Sequence, residues 1–119
     1  MESTRLQKVN QLLQEDLAEI FRQEAGKIQK GMLISVTEVR TTPDLSIAKV
    51  FLSVFPTQYR DDVMKNVSDS TGYYRRLLGQ QIGSRMRIVP ELHFYADISL
   101  DRVDEIEKAL KGKGENPVL

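Results

Sequence analysis

The chain contains no cysteine and no tryptophan, and its single histidine is His93. Without cysteine there can be no disulfide staple, no cysteine-based zinc site and no thiol nucleophile. One histidine leaves little from which to build a catalytic triad. No P-loop, dinucleotide-binding glycine pattern or zinc-ligand spacing occurs either. No apolar run approaches the roughly 20 residues that cross a bilayer. The opening residues Met1 to Gln7 hold no apolar signal core, so the expectation is a cytoplasmic protein with no membrane partner. No metal, cofactor or catalytic residue is expected. Excess charge is missing too: 17 Lys and Arg balance 17 Asp and Glu. That excludes a uniformly basic coat, so any polyanion contact must come from a local patch.

What is present suits one small domain. At 119 residues, with 40% apolar and 29% charged side chains, the chain can close a single core. The expected division is one domain over 1–111 and a loose, glycine-bearing tail over 112–119.

Hydrophobic spacing supplies the elements. Leu6, Val9, Leu13, Leu17 and Ile20 recur every three or four residues, widened by Leu12 and Phe21, and predict an amphipathic helix over 4–25. Thr4 and Gln7 fit a capping box at its start, and Gly26 is the expected stop. Two strands follow, at 32–40 and 46–55. In the second, Ala48, Val50, Leu52 and Val54 alternate with a mixed face. Pro43 and Asp44 between them predict a hairpin turn. After Pro56, Thr57 is a candidate cap for a helix over 58–68 with Tyr59, Val63 and Val67 on one side. Ser70-Thr71-Gly72 interrupts it, and Tyr74, Leu77, Leu78 and Ile82 predict a second helix over 72–84, so a kinked pair is expected with Ser70 as the new cap. Past Pro90, Leu92, Phe94, Ala96 and Ile98 alternate with Glu91, His93, Tyr95 and Asp97, a third strand. Ser99 then caps an expected last helix carrying Leu100, Val103, Ile106 and Leu110. The order α-β-β-α-kink-α-β predicts an α+β fold with helices on one face of a three-stranded sheet. Lys49, Ser53, His93 and Tyr95 would lie on the other face.

Charge is unevenly placed. From Ser70 to Pro90 there is no acidic residue, but there are four arginines, Arg75, Arg76, Arg85 and Arg87, so the rest of the neutral chain is net negative by four. Arginine suits phosphate because its planar fork donates two parallel hydrogen bonds. A solvated helix face explains the same arginines equally well. Gly72 is either a simple helix-breaking turn or a point where a nucleic-acid backbone approaches bare N–H groups, with the Ser70 and Thr71 hydroxyls beside it. The Gly-x-x-Gly of a standard KH domain is not there. His93 reads as an ordinary surface residue, Asp61 and Asp62 as acids favouring a helix N-terminus, and Lys27 and Lys30 as solvated. Of the adjacent Tyr73 and Tyr74, one should pack inward and the other lean outward.

Three blocks together resemble the bacterial ribosome-binding factor A family. They are Val39 with Asp44-Leu45-Ser46-Ile47-Ala48-Lys49-Val50-Phe51-Leu52-Ser53, then Gly72-Tyr73-Tyr74-Arg75-Arg76-Leu77-Leu78-Gly79, and Arg87-Ile88-Val89-Pro90-Glu91-Leu92-His93-Phe94-Tyr95-Ala96-Asp97. The basic opening Arg5-Leu6-Gln7-Lys8-Val9 also fits. The resemblance implies a KH-like fold of the second topology, with the helix junction formed by an Ala-x-Gly kink; here Ser70 stands where alanine is usual. It implies a non-enzymatic assembly factor that binds the free 30S subunit near the 5′ end of 16S rRNA. Such a factor assists late maturation and rRNA processing, including in the cold, and acts as a monomer alongside other assembly factors. Under that reading Arg75, Arg76, Arg85 and Arg87 hold rRNA phosphates, supported by Arg5, Lys8 and Lys49 and by Ser70, Thr71 and Gly72. The acidic terminal stretch (Asp101, Asp104, Glu105, Glu107) would face away from RNA or toward a basic ribosomal protein. The competing expectation is a protein-interaction module that uses the same basic patch to bind an acidic partner.

Overall fold

A computed structural model describes residues 4–98. The expected terminal helix, its acidic residues and the tail over 112–119 lie outside the described residues.

Helix α1 spans Thr4–Ile28, strand β1 Leu33–Thr41 and strand β2 Ile47–Phe55. A 3₁₀ turn at Thr57–Tyr59 leads into α2, Arg60–Asp69; α3 follows over Thr71–Ile82, a second 3₁₀ turn over Gly83–Arg85, and β3 over Glu91–Ala96. The sheet order is β1-β2-β3, with β1 antiparallel and β3 parallel to the central β2. The parallel step needs a crossover, which α2 and α3 provide, and they land with α1 on one face of the sheet.

The core lies between those helices and that face. Leu13, Leu17, Ile20, Phe21 and Ala25 form the buried stripe of α1, against Ile34, Val36 and Val39 of β1, Val50 and Leu52 of β2, and Leu92 and Phe94 of β3. Phe21 stacks on Tyr74 of α3 with ring centroids 4.7 Å apart, and the Phe94 ring meets both edge-on at 5.7 and 5.9 Å. One aromatic trio thus ties α1, α3 and β3 together. Aromatic pairs in such geometry add about 0.5–1.5 kcal/mol beyond area burial.

A bulge interrupts β1. Val36 pairs with Leu52 and Glu38 with Phe51, so Thr37 has no partner of its own across the ladder. Its neighbours Val36 and Val39 both face the core although they are three residues apart. The bulge is held from two sides. The Gln14 amide of α1 donates to the Val36 and Thr37 carbonyls at 3.1 and 3.3 Å. The Thr37 hydroxyl donates to Asp97 Oδ2 at 2.6 Å.

Several boundaries differ from the sequence expectations. Helix α1 passes through Gly26 and reaches Ile28. The residue that turns the chain is Gly31, at φ 85°, a conformation that strains a side chain and not a glycine. At the other end of α1, Asn10 Oδ1 accepts the N–H of Thr41, the last residue of β1. The turns before Asn10 have less strand to cover, and Leu6, Val9 and Leu12 are only half-buried. Thr57 is not a cap; it lies inside the 3₁₀ turn, whose cap position is Pro56. The interruption at Ser70 gives two separate helices. Ser70, at φ −117° and ψ 28°, belongs to neither and offers no side-chain cap. Helix α3 stops at Ile82 because Gly83 turns to φ 61°. In β3 the inward alternation holds for Leu92 and Phe94 but not beyond, since Ala96 and Ile98 are exposed.

Candidate nucleic-acid interface

The helix junction builds the site. Leaving α2, the chain bends at Ser70, whose carbonyl accepts the Tyr74 N–H at 3.2 Å and starts α3. Gly72 lies in the first turn of α3, and a Cβ added there would meet nothing within 4 Å. The fold therefore does not need glycine at this position, and its backbone is open to a ligand. One helical step further, Tyr74 turns into the core while Tyr73 stays 38% exposed. The Tyr73 hydroxyl donates to Glu24 of α1 at 3.2 Å, and its ring receives the Arg76 guanidinium at 5.7 Å. That contact holds the arginine against the ring without neutralising it.

Arg75 points toward the segment before β3. Its Nε and Nη2 both donate to the Val89 carbonyl, at 3.1 and 2.7 Å, which pins residues 86–90 against α3. A cleft of about 540 Å³ opens between them, lined by Gly72, Arg75, Arg76, Arg87, Ile88 and Val89. Among the described residues, none of the three arginines is paired with a carboxylate. Cationic forks around an apolar floor can hold phosphates while a sugar or base rests on Ile88 and Val89.

Arg85 goes elsewhere. Its Nη2 donates to Asp16 Oδ2 of α1 at 2.8 Å and to the Gln81 carbonyl at 2.8 Å, and its Nε donates to the Ile82 carbonyl at 3.1 Å. Asp16 is buried, so this guanidinium caps the end of α3 and compensates an acid inside the fold. Arg85 also borders a second cleft of about 400 Å³ with Arg5, Lys8, Val9, Leu12 and Met86. Lys49 is further away still: it stands on the open sheet face, in register with Arg40 and His93. Ser70 and Thr71 are half-buried at the junction beside Gly72.

The sequence-predicted residues therefore fall into three groups: Gly72, Arg75, Arg76 and Arg87; Arg5, Lys8 and Arg85; and Lys49 alone. Sequence reasoning missed Ile88 and Val89 as cleft floor and Asp16 as the partner of Arg85. Asp16 did carry a signal: it lies three after Leu13 and four before Ile20, an acid on an apolar stripe. His93 Nε2 sits 2.7 Å from Glu91 Oε2 at the surface. Among the described residues there is no cluster of three or more potential metal ligands, and no helix is long and apolar enough to cross a membrane.

A mixed three-stranded sheet with its helices on one face defines a KH-like domain, with a cationic cleft beside the α2–α3 junction. The crystal structure of ribosome-binding factor A from Thermus thermophilus shares this fold, with a TM-score of 0.60 and 22% identity, covering 76% of this chain and 94% of that one. Coordinates of the Thermus thermophilus factor, a homology model fitted into the cryo-EM map of a 30S–ribosome-binding factor A complex, match with a TM-score of 0.57 and 22% identity, covering 75% and 91%. In sequence, a Ribosome-binding factor A of Christiangramia forsetii is 42% identical over 120 residues, 98% of this chain and 89% of the relative. The family model described as Ribosome-binding factor A matches residues 5–110. The chain belongs to the ribosome-binding factor A family.

Proposed function

We propose that this protein is an assembly factor of the small ribosomal subunit. It binds the free 30S particle through 16S rRNA in the 5′-end region and assists late maturation and rRNA processing, including at low temperature. It works by occupancy, without turnover, as a cytoplasmic monomer. The observation that carries the reading is the cleft at the helix junction, where Gly72, Arg75, Arg76 and Arg87 meet with no carboxylate between them among the described residues. Family membership supports it, and so does the Thermus thermophilus relative fitted into a 30S complex. Arg75, Arg76 and Arg87 hold phosphates. Gly72 lets the RNA backbone approach the start of α3, next to the Ser70 and Thr71 hydroxyls. Arg5, Lys8 and Arg85 form a second, weaker contact, because Asp16 already compensates Arg85. Lys49 is on the opposite layer and engages only RNA that reaches around the sheet. Phosphate contacts position without reading sequence, so specificity comes from rRNA shape and ribosomal neighbours.

Sedimentation of an extract through a sucrose gradient tests this. The protein should travel with free small subunits, leave them after ribonuclease treatment, and be missing from translating ribosomes. Complexes that survive ribonuclease, or a protein that stays at the top of the gradient, would overturn the proposal.

A further inference from the structure

Between α1 and α3 lies a third hollow, of a different character from the two cationic clefts. It measures about 270 Å³, and its walls include Glu24 and Lys27 of α1 and Tyr73, Leu77, Gln80 and Gln81 of α3. Within each helix these residues recur three or four apart, so each set shares one face. The hollow is too small for a drug-sized ligand and suits a single ring system. Tyr73 connects it with the arginine cleft: its ring carries Arg76, which lines that cleft, and its hydroxyl reaches Glu24.

The polar groups of the hollow are only partly used by the fold. Glu24 is 9% exposed. Its Oε1 accepts the Tyr73 hydroxyl at 3.2 Å, and its Oε2 accepts Lys27 Nζ at 3.0 Å. A carboxylate has about four lone-pair sites, so each oxygen retains one for a ligand. Across from it, the side-chain amides of Gln80 and Gln81 make no hydrogen bond among the described residues. The α1 wall therefore presents two acceptors side by side, and the α3 wall presents amide donors next to the half-buried Leu77.

Among the nucleobases, guanine alone carries two adjacent donors, N1–H and the N2 amino group, on its pairing edge. Adenine, cytosine and uracil each set a nitrogen or carbonyl lone pair against a carboxylate placed there. The O6 and N7 atoms of guanine are acceptors, which amide donors satisfy. We propose that this hollow holds an unpaired guanine of an RNA strand whose phosphates lie in the arginine cleft. Glu24 accepts from N1 and N2, and Gln80 and Gln81 donate to O6 and N7. The inference rests on the RNA-binding reading above and adds to its phosphate contacts one contact that reads a base. Tyr73 is the positioning residue, since its hydroxyl orients the carboxylate while its ring holds Arg76.

Anisotropy titrations of the full chain with short labelled single-stranded RNAs, identical except for one central base, give the test. The guanine strand should bind about tenfold tighter than the adenine strand. An inosine strand, which lacks the N2 amino group, should lose most of that advantage. Glu24→Gln, equal in size, should erase the preference, and Gln80→Ala with Gln81→Ala should reduce it at two exposed positions where the fold has little at stake. Equal affinity for all strands would overturn the inference and leave RNA binding standing. Failure to bind any strand would overturn both. A preference that survives Glu24→Gln in the folded protein would remove the guanine from this hollow. Guanosine monophosphate that competes as well as the guanine strand would also overturn the proposal, replacing the strand with a free nucleotide.

Discussion

The two ends of α3 treat the same residue type in opposite ways. At the start, Arg75 is held by a carbonyl and Arg76 by a tyrosine ring, so both keep their full charge at the surface. At the end, Arg85 closes on buried Asp16 and two carbonyls. All belong to one acid-free stretch, but only the first end offers charge to a partner. A count of arginines is therefore not a count of binding charge; what each guanidinium meets decides. The largest expected effect is on the open end. Arg75→Ala, Arg76→Ala and Arg87→Ala together should weaken 30S binding about 100-fold or more at physiological salt and lower the log–log salt slope by about two. Titration at several salt concentrations measures both, and a slope that does not change would erase the contrast between the ends.

In the first turn of α3, Tyr74 provides a control on the fold itself. Burial, then the nearby Glu24 and Tyr73, push its hydroxyl up to about 12 from 10.0. A group whose folded value is raised contributes stability that is complete below the unfolded value and is lost as pH climbs through the folded one. The Tyr74 contribution to stability, read from denaturant midpoints, should therefore be complete below pH 10 and be lost between pH 10 and 12, a change of about 1–2 kcal/mol once solvent screening is discounted. Tyr74→Phe should flatten that part of the decline. Next in size is Arg85→Ala. It strands a buried carboxylate, although the half-exposed guanidinium shares its work with water, so a loss of about 1–2 kcal/mol is expected in chemical denaturation. The salt slope should move by well under one unit, the inverse of the triple variant. The smallest effect is at Gly72→Ala. With open space around the new methyl and a helical position, stability should stay level or rise by up to about 1 kcal/mol. Binding should nevertheless weaken, by a factor measurable in the same titration, if RNA approaches this backbone.

Much of the fold is legible in the sequence because its elements announce themselves by period. The stripe of α1 and the alternation of β2 survive almost unchanged in the structure. What escapes is whatever depends on a distant partner. Gly26 and Gly31 both follow an apolar stripe, and only the buried Ala25 and the onward bond from the Gln29 N–H to the Ala25 carbonyl show that the helix runs through the first. Thr37 looks like any β-branched strand residue until Phe51 is seen to pair past it. For the candidate site, the arginines are visible but their grouping is not. Arg85 and Asp16 are 69 positions apart, so no local pattern pairs them, whereas the alternation of β2 already puts Lys49 on the sheet face away from the helices that carry Arg75. The inward Tyr74 and outward Tyr73, by contrast, follow from helix geometry alone.

The bulge at Thr37 lets β1 carry two hydrophobic phases into the same core. Ile34 and Val36 keep one parity, Val39 and Thr41 the other. An unbroken ladder through Thr37 would turn Val39 into water and carry Glu38 and Arg40 beneath α1, burying two ions where a valine belongs. Deleting Thr37 has the opposite outcome: the four inward positions fall into step and every remaining pair keeps its partner. The sheet would close without it, so its place in the ladder is dispensable to pairing. What the deletion takes away is the hydroxyl that moors Asp97, and with it the fixed direction in which the polypeptide departs from the sheet.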